Sequence, residues 1–522
     1  MPKCLNNFLT YTSEYCTNTS IHGLKFLGER RRSIFERLFW LVILATFLFL
    51  CVMMILEAYH KWETSPVVVS FATSETPVWK IPFPAVTICP DVKTEKEMVN
   101  FTDLVLMKKE GKKLNANQTR QYNYMLEVCN WEDENGEKYD YLTEDFYDFI
   151  LKVQPKFSDT IDECVWMGLD CMEDIKNMFS PIITQDGLCF TFNLLDRSDI
   201  FTKIVAQNHY DRSNISHKPS SNWSLDNGFD MNFGDNVLPR RTTIGGLNGG
   251  LDLTFWAESA NLDYFCSDAL QGYKVALHSP TQIPLVLHEY FRIGLNQVAT
   301  VSVKPVVVKT SNQLKNYHPN QRHCYFAEER HLLFFKVYDQ ANCLQECVTN
   351  FTFQHCKCVT FDMPRLNTTP ICGYGRRKCV QESLNLFVSL EDSKFDNDDS
   401  PDALEKCDCK QTCSSLGFET EVSQVDWKWR RRAKVLADES QLSSKNEYTR
   451  LRIFFKDLQF ITSERNELYG LMDFLSSCGG LLGLFIGFSF VSCVEIIYFL
   501  TLRLLCNCRI FGRLNWAGDC NL

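Results

Sequence analysis

The chain has 522 residues, a formal net charge of −10 and 24 cysteines. Its slightly negative mean hydropathy excludes a many-span transporter and leaves room for one or two membrane spans beside a large soluble part. The charge is spread over many segments, with no basic face or nucleic-acid motif, so nucleic acid is not an expected partner.

In chain order, residues 1–37 carry Lys25, Arg30, Arg31, Arg32 and Arg37 ahead of an apolar run at 38–56, LFWLVILATFLFLCVMMIL. Its nineteen uncharged residues match the ~20 needed to cross the hydrocarbon core. The run is too long and too far into the chain for a signal peptide, and no small-residue cleavage site follows. Residues 66–70 and 84–89 are rich in β-branched side chains between prolines and read as strands. From 95 to 152 the spacing turns helical. Residues 188–194 (LCFTFNL) alternate like a strand, and 196–241 read as loops with little core of their own. Strands resume at 251–256 and 273–277. A dense cysteine block covers 324–413, with an acidic loop at 391–402. The basic, aromatic stretch 427–434 (WKWRRRAK) reads as a surface patch, with heparin-like binding as the alternative. Residues 451–460 alternate and read as a last strand leading to the membrane. A second apolar run is uncharged from Phe474 to Val494 and resumes after Glu495 to Leu502.

Basic residues flank the first run on its N-terminal side and the second on its C-terminal side, at Arg503, Arg509 and Arg513. By the positive-inside rule both termini are cytoplasmic and the middle lies outside. The expected division is 1–37 cytoplasmic, 38–56 first transmembrane helix, 57–470 extracellular cysteine-rich domain, 471–502 second transmembrane helix and pore, and 503–522 cytoplasmic. Sixteen cysteines fall between Cys89 and Cys413, an even set that suits disulfides in an oxidising space. The other eight lie near the termini or in apolar runs. Cys356-x-Cys358 and Cys407-x-Cys409 lack zinc-ribbon spacing, so no structural metal is expected. Sequons begin at Asn100, Asn117, Asn214, Asn222, Asn350 and Asn367, all candidate glycosylation sites. No nucleophile motif, HExxH or phosphate loop supports an enzyme, and no cofactor is implied.

The second run is unusually small and polar for a lipid anchor. Gly479, Gly483 and Gly487 recur every four residues, a stripe that lets helices approach closely. Gly487-Phe488-Ser489 can break the helix, and a break at membrane depth is tolerated where it is protein-buried or lines water. Freed carbonyls and the Ser489 hydroxyl then replace part of an ion's hydration shell. Glu495, with apolar neighbours, marks a polar pathway; the plainer reading is an interfacial residue that snorkels. Ser476 to Gly487 spans about 16 Å of helix at ~1.5 Å per residue, which puts the break near mid-membrane. One helix cannot enclose a pore, so several subunits must meet there.

These residues resemble the epithelial sodium channel/degenerin superfamily, the amiloride-sensitive sodium channels, and most nearly its insect pickpocket branch. His22-Gly23 in TSIHGL is similar to the family's cytoplasmic gating motif. FPAVTIC at 83–89, LCFTFN at 188–193, GYKVALHSP at 272–280 and GGLLGLFIGFS at 479–489 resemble its ectodomain and pore signatures. The resemblance implies a membrane protein with two transmembrane helices and a large disulfide-rich α+β ectodomain, a hand of palm, β-ball, finger, thumb and knuckle, assembled as a homo- or heterotrimer in the lipid bilayer of the plasma membrane. It implies bridges Cys89–Cys189, Cys164–Cys171, Cys324–Cys413, Cys343–Cys409, Cys347–Cys407, Cys356–Cys379 and Cys358–Cys372; Cys129 and Cys266 are left over and taken as a pair. It implies a selectivity filter at Gly487, Phe488 and Ser489, with phenylalanine where the family often has a smaller residue. Ser476 matches the position where bulky side chains hold family channels open, and Gly483 one that contributes to block by amiloride-type compounds. Gly479, Gly480 and Glu495 complete the pore set, and Na+ is the permeant ion. The implied function is a gated channel carrying sodium into the cell. The rivals are an obligate regulatory subunit, an ATP-gated type of two-span trimer and a poreless two-anchor receptor. Acid sensing does not carry over, and Asp145, Glu328 and Glu329 read as solvated charges.

Overall fold

The computed structural model describes every residue except 1, 30–31, 65–66, 130, 132, 134–138, 207–222, 226–227, 230–237, 393–406, 437–444, 513–515 and 518–522. Asn214, Asn222, Arg30, Arg31, Arg513 and nearly all of the acidic loop at 391–402 lie outside the described residues. The chain divides into two compact units. One comprises Met1–Val69, Ser311–Arg322 and Asn466–Leu522; the other comprises Ser70–Thr310 and His323–Arg465.

The larger unit is built on two sheets sharing one apolar core. Its strands are β1 (Ala85–Pro90), β2 (Ile161–Trp166), β3 (Leu169–Asp170), β4 (Phe179–Thr184), β5 (Gly187–Phe192), β6 (Leu251–Glu258), β7 (Gly272–His278), β8 (Phe291–Gly294), β9 (Gln297–Thr310), β10 (Ser415–Asp426), β11 (Asn446–Phe455) and β12 (Ser463–Glu467). The antiparallel sheet runs β8-β7-β1-β5-β4. The mixed sheet runs β12-β9-β11-β6-β2-β3, with β10 also on β9. Ile88 and Phe192 from the first, with Phe83 just ahead of β1, pack with Phe255, Val301, Ile453 and Phe455 from the second.

Strand β9 is the longest and was not singled out in the sequence. Its alternation is regular: Ala299, Val301, Val303 and Val307 are buried on one face. Pro305 breaks the usual reading, because proline cannot donate to a ladder. β10 pairs antiparallel with β9 over Gln297–Val308, β11 parallel over Val298–Val303, and β12 parallel over Val308–Thr310. Pro305 falls in the interval that neither parallel partner reaches.

The helical stretch resolves into Phe101–Lys109, Ala116–Val128 and Asp145–Val153. Asn115 and Gln118 form a reciprocal capping box that starts the second of these. Helices Gln340–Cys356 and Arg377–Asp392 have little apolar core; Cys356, Cys358, Cys372 and Val380 make up one of its clusters. Covalent links there replace buried area. The bridges are Cys324–Cys413, Cys343–Cys409, Cys347–Cys407, Cys356–Cys379 and Cys358–Cys372. Elsewhere Cys89 joins Cys189, Cys129 joins Cys266 and Cys164 joins Cys171. Seven of these are the pairs that the resemblance implies, Cys129–Cys266 is the pair left over, and together they consume both Cys-x-Cys pairs. Among the described residues no group of three or more His, Cys, Asp or Glu could hold a metal.

Four expectations change. Residues 196–241 do have core contacts, since Ile200, Phe201 and Val205 are buried with Phe334 and Phe335. The strand over 451–460 ends at Phe455, where Lys456 turns out to pair with Glu421 at 2.8 Å, and two shorter strands, Gln459–Phe460 and β12, follow. The patch at 427–434 is partly anchored: Trp429 is buried, and its Nε1 donates to Asn296 at 2.7 Å. The first membrane helix runs Ile34–Thr64, longer than its apolar run. Its 31 residues extend about 46 Å at ~1.5 Å each, more than the ~30 Å hydrocarbon core.

Candidate pore segment

The second apolar run is two helices. The first half-helix is Leu471–Ile486 and the second is Phe490–Tyr498, continued by a π-helical turn at Phe499–Arg503 and the helix Leu504–Phe511. The first is capped when Gly470 N–H donates to Asp473 at 3.0 Å. It ends because Gly487 adopts φ +69°, a left-handed conformation that glycine takes without Cβ strain. The amides of Gly487 and Phe488 turn back to the carbonyls of Gly483 (3.0 Å) and Leu482 (3.2 Å). Ser489 is extended and restarts the helix, accepting from Ser492 N–H at 3.3 Å. Thus the backbone leaves the helical ladder at the three residues singled out in the sequence.

A segment from the far end of the chain closes on this break. His22 N–H donates to the Ile486 carbonyl at 2.9 Å. Ser20 donates to Glu495 twice, through its N–H at 3.2 Å and its hydroxyl at 3.1 Å, and its hydroxyl lies 2.8 Å from that of Ser492. Gly23, at φ +84°, makes the turn into helix Leu24–Gly28. A Cβ on Gly23 would stand 3.1 Å from Leu44 on the first membrane helix. Phe26 stacks on Trp40 of that helix with centroids 4.4 Å apart. The His-Gly turn is therefore wedged between the first membrane helix and the break. A Cβ on Gly487 would meet the His22 ring at 2.1 Å, so glycine is required there by space as well as by backbone angle.

The first half-helix packs on the first membrane helix through aromatic side chains. Phe47 faces Phe485 (6.1 Å), and Trp62 stacks on Phe474 (5.4 Å). The glycines are not used in that contact. Side chains built at Gly479 and Gly480 would meet nothing within 4 Å, and the nearest atom to one at Gly483 is the Phe488 carbonyl at 4.0 Å. Ser476 is exposed as well. Residues Ser311–Arg322 join this unit: the Tyr317 hydroxyl donates to Glu467 and is pushed up to about 12 by burial and then by that carboxylate. At the other end, helix Pro2–Asn18 lies along the π-helical turn. Tyr11 donates to the Phe499 carbonyl at 2.5 Å and Glu14 pairs with Arg503 at 2.5 Å.

The structure thus brings His22, Gly23, Gly487, Ser489 and Glu495 together and leaves Ser476, Gly479, Gly480 and Gly483 on an uncovered face. Sequence reasoning passed over Ser20. Its signal was available in the polar residues of TSIHGL and in the three-residue spacing of Ser489, Ser492 and Glu495. Among the described sequons, Asn117 and Asn350 are exposed within helices and Asn367 is exposed in a loop. Asn100 is committed to capping, with its amide donating to Asp103 at 2.6 Å.

A family model described as amiloride-sensitive sodium channel matches residues 15–499. The chain is 26% identical to Pickpocket protein 28 of Drosophila melanogaster, over 95% of this chain and 79% of that protein. It is 23% identical to Sodium channel protein Nach of the same organism, over 95% and 88%, and 22% identical to Acid-sensing ion channel 4-B of Danio rerio, over 93% and 75%. A match that runs from ahead of the His-Gly turn to the π-helical turn covers both membrane helices and everything between them. The chain belongs to the amiloride-sensitive sodium channel family and is a sodium-channel subunit of the epithelial sodium channel/degenerin type.

Proposed function

We propose that this chain assembles as a homo- or heterotrimer in the plasma membrane and forms a gated pore that passes Na+ into the cell, in a sensory or epithelial setting. The observation that carries this reading is the helix break at Gly487–Ser489. Backbone groups released from a ladder within hydrocarbon are costly unless they line water or are buried in protein. The break belongs to a span whose glycine face is left uncovered by the chain's own first helix. That face, bearing Ser476, Gly479, Gly480 and Gly483, is where copies approach and where the gate lies. Gly487, Phe488 and Ser489 form the filter, and Glu495 supplies negative charge on its far side. Both termini are cytoplasmic and residues 57–470 extracellular, where Asn367 is the best placed of the described sequons for a glycan. Amiloride-type compounds block from the side of Gly483.

Recordings from oocytes expressing the chain, in sodium and then potassium solutions with and without amiloride, test the reading. A sodium-selective, amiloride-blocked current is expected, and Ser476→Trp is expected to raise the constitutive current by hindering closure. Normal surface expression without current in the wild type, alone and beside a paralogous subunit, would overturn it.

A further inference from the structure

Two hydroxyls connect the candidate filter to Glu495, and one of them belongs to the N-terminal turn. Ser489 N–H donates to the Ser492 hydroxyl at 3.1 Å. The Ser20 hydroxyl lies 2.8 Å from Ser492 Oγ and 3.1 Å from Glu495 Oε2. A hydroxyl has one proton, and a carboxylate can only accept. The directions are therefore fixed: Ser492 donates to Ser20, and Ser20 donates to Glu495. Ser20 N–H donates to the same Oε2 at 3.2 Å. Ser492 is fully buried, so the chain of bonds is shielded at its centre. Bonds in such a series polarise one another, and the terminal bond to an ionised group is the strong kind.

We infer that Ser20 is a positioning residue of the pore, which fixes the Glu495 carboxylate relative to Gly487–Ser489 and so makes ion selectivity depend on the N-terminal turn. This rests on the pore reading above. Without Ser20 the chain of bonds is cut in its middle. Ser492 is left with the Ser489 hydroxyl, 3.2 Å away, and Glu495 keeps the Ser20 backbone donor. The carboxylate is then free to leave the place where it faces a passing cation. Threonine keeps the hydroxyl, and alanine removes it at nearly constant volume.

Two measurements on the full chain test this. In the first, Ser20→Cys is combined with Ser492→Cys, the protein is oxidised in its membrane, and linked peptides are mapped by mass spectrometry. An intrachain 20–492 link absent from either single variant is expected. No link, or a link that joins two chains, overturns the placement whether or not the protein conducts. In the second, reversal potentials give the sodium-to-potassium permeability ratio. Ser20→Ala is expected to lower it by about tenfold, the weak end of what one charge-assisted hydrogen bond represents. Ser20→Thr keeps the wild-type ratio, and Ser20→Ala adds nothing on top of Glu495→Gln. Wild-type selectivity in Ser20→Ala, with Glu495→Gln altered, overturns the inference while leaving the pore reading intact. A wild type that prefers no cation sinks the pore reading, and the cross-link still decides the position of Ser20.

Discussion

At the scale of single residues, Gly487 has two separate demands on it. Its backbone is left-handed, which costs a residue with a Cβ roughly 1–2 kcal/mol. Its Cα also faces the His22 ring, which a methyl would meet at 2.1 Å. Gly487→Ala is therefore expected to cost more than backbone strain alone, and Gly487→Ala with His22→Ala less than Gly487→Ala by itself. Current density normalised to surface protein checks this; equal losses in the single and double variants would show that His22 does not set the constraint. The glycine and the break were legible in the sequence, because a helix that must stop inside an apolar run has few residues that let it. The partner of the break was not. His22 and Ile486 meet across nearly the whole chain, and no local pattern encodes such a contact.

At the scale of elements, the spans, most strands and the helical stretch were readable from periodicity. The exceptions have physical causes. β9 contains Pro305, a residue that argues against a strand until its partners are known to leave a gap. The membrane helix beginning at Ile34 outlasts its apolar run because helix propagation does not stop where hydropathy does. The disulfide partners were legible only through the resemblance, since sixteen cysteines permit many pairings. Their closure lengths differ widely, with 7 residues separating Cys164 from Cys171 and 137 separating Cys129 from Cys266. Chain entropy makes the longer closure the more stabilising by about 2.5 kcal/mol. Denaturant unfolding of the Cys129→Ser/Cys266→Ser variant is expected to show the larger loss of midpoint; an equal or larger loss for Cys164→Ser/Cys171→Ser would contradict this ordering.

At the scale of the whole molecule, two groups in the larger unit give opposite responses to acid. Glu127 is pushed up to about 7, chiefly by burial. The Tyr139 hydroxyl lies 2.5 Å from the Asn123 carbonyl and 3.1 Å from Glu127 Oε1, to which it donates, and that bond offsets only part of the effect of burial. A carboxyl raised in the folded state stabilises below its unfolded value near 4.5, and that stability is lost as pH rises through about 7. His278 is pushed down to about 4, again chiefly by burial. Its Nδ1 lies 2.9 Å from the Ser279 carbonyl, and its Nε2 lies 2.8 Å from Thr87 Oγ1, which suits the neutral ring. A lowered histidine stabilises above 6.5, and that stability is lost as pH falls toward 4. Between about pH 4.5 and 6.5 the two oppose each other. Thermal unfolding of the purified protein is expected to change little over that window. Glu127→Gln unmasks a fall in stability on acidification, and His278→Gln unmasks a rise. Parallel pH profiles for both variants would refute the assignment.

The bonds from Ser20 to Glu495 join residues 475 positions apart. During synthesis the N-terminal turn emerges first and the second half-helix almost last. The junction between the N-terminal turn and the helix break is therefore finished only after nearly every other part of the subunit has been made. Until then the partners that Ser20 and His22 find at Ser492, Glu495 and the Ile486 carbonyl do not yet exist. A chain cut short before the second half-helix keeps every cysteine of the disulfide-linked domain and lacks this junction altogether.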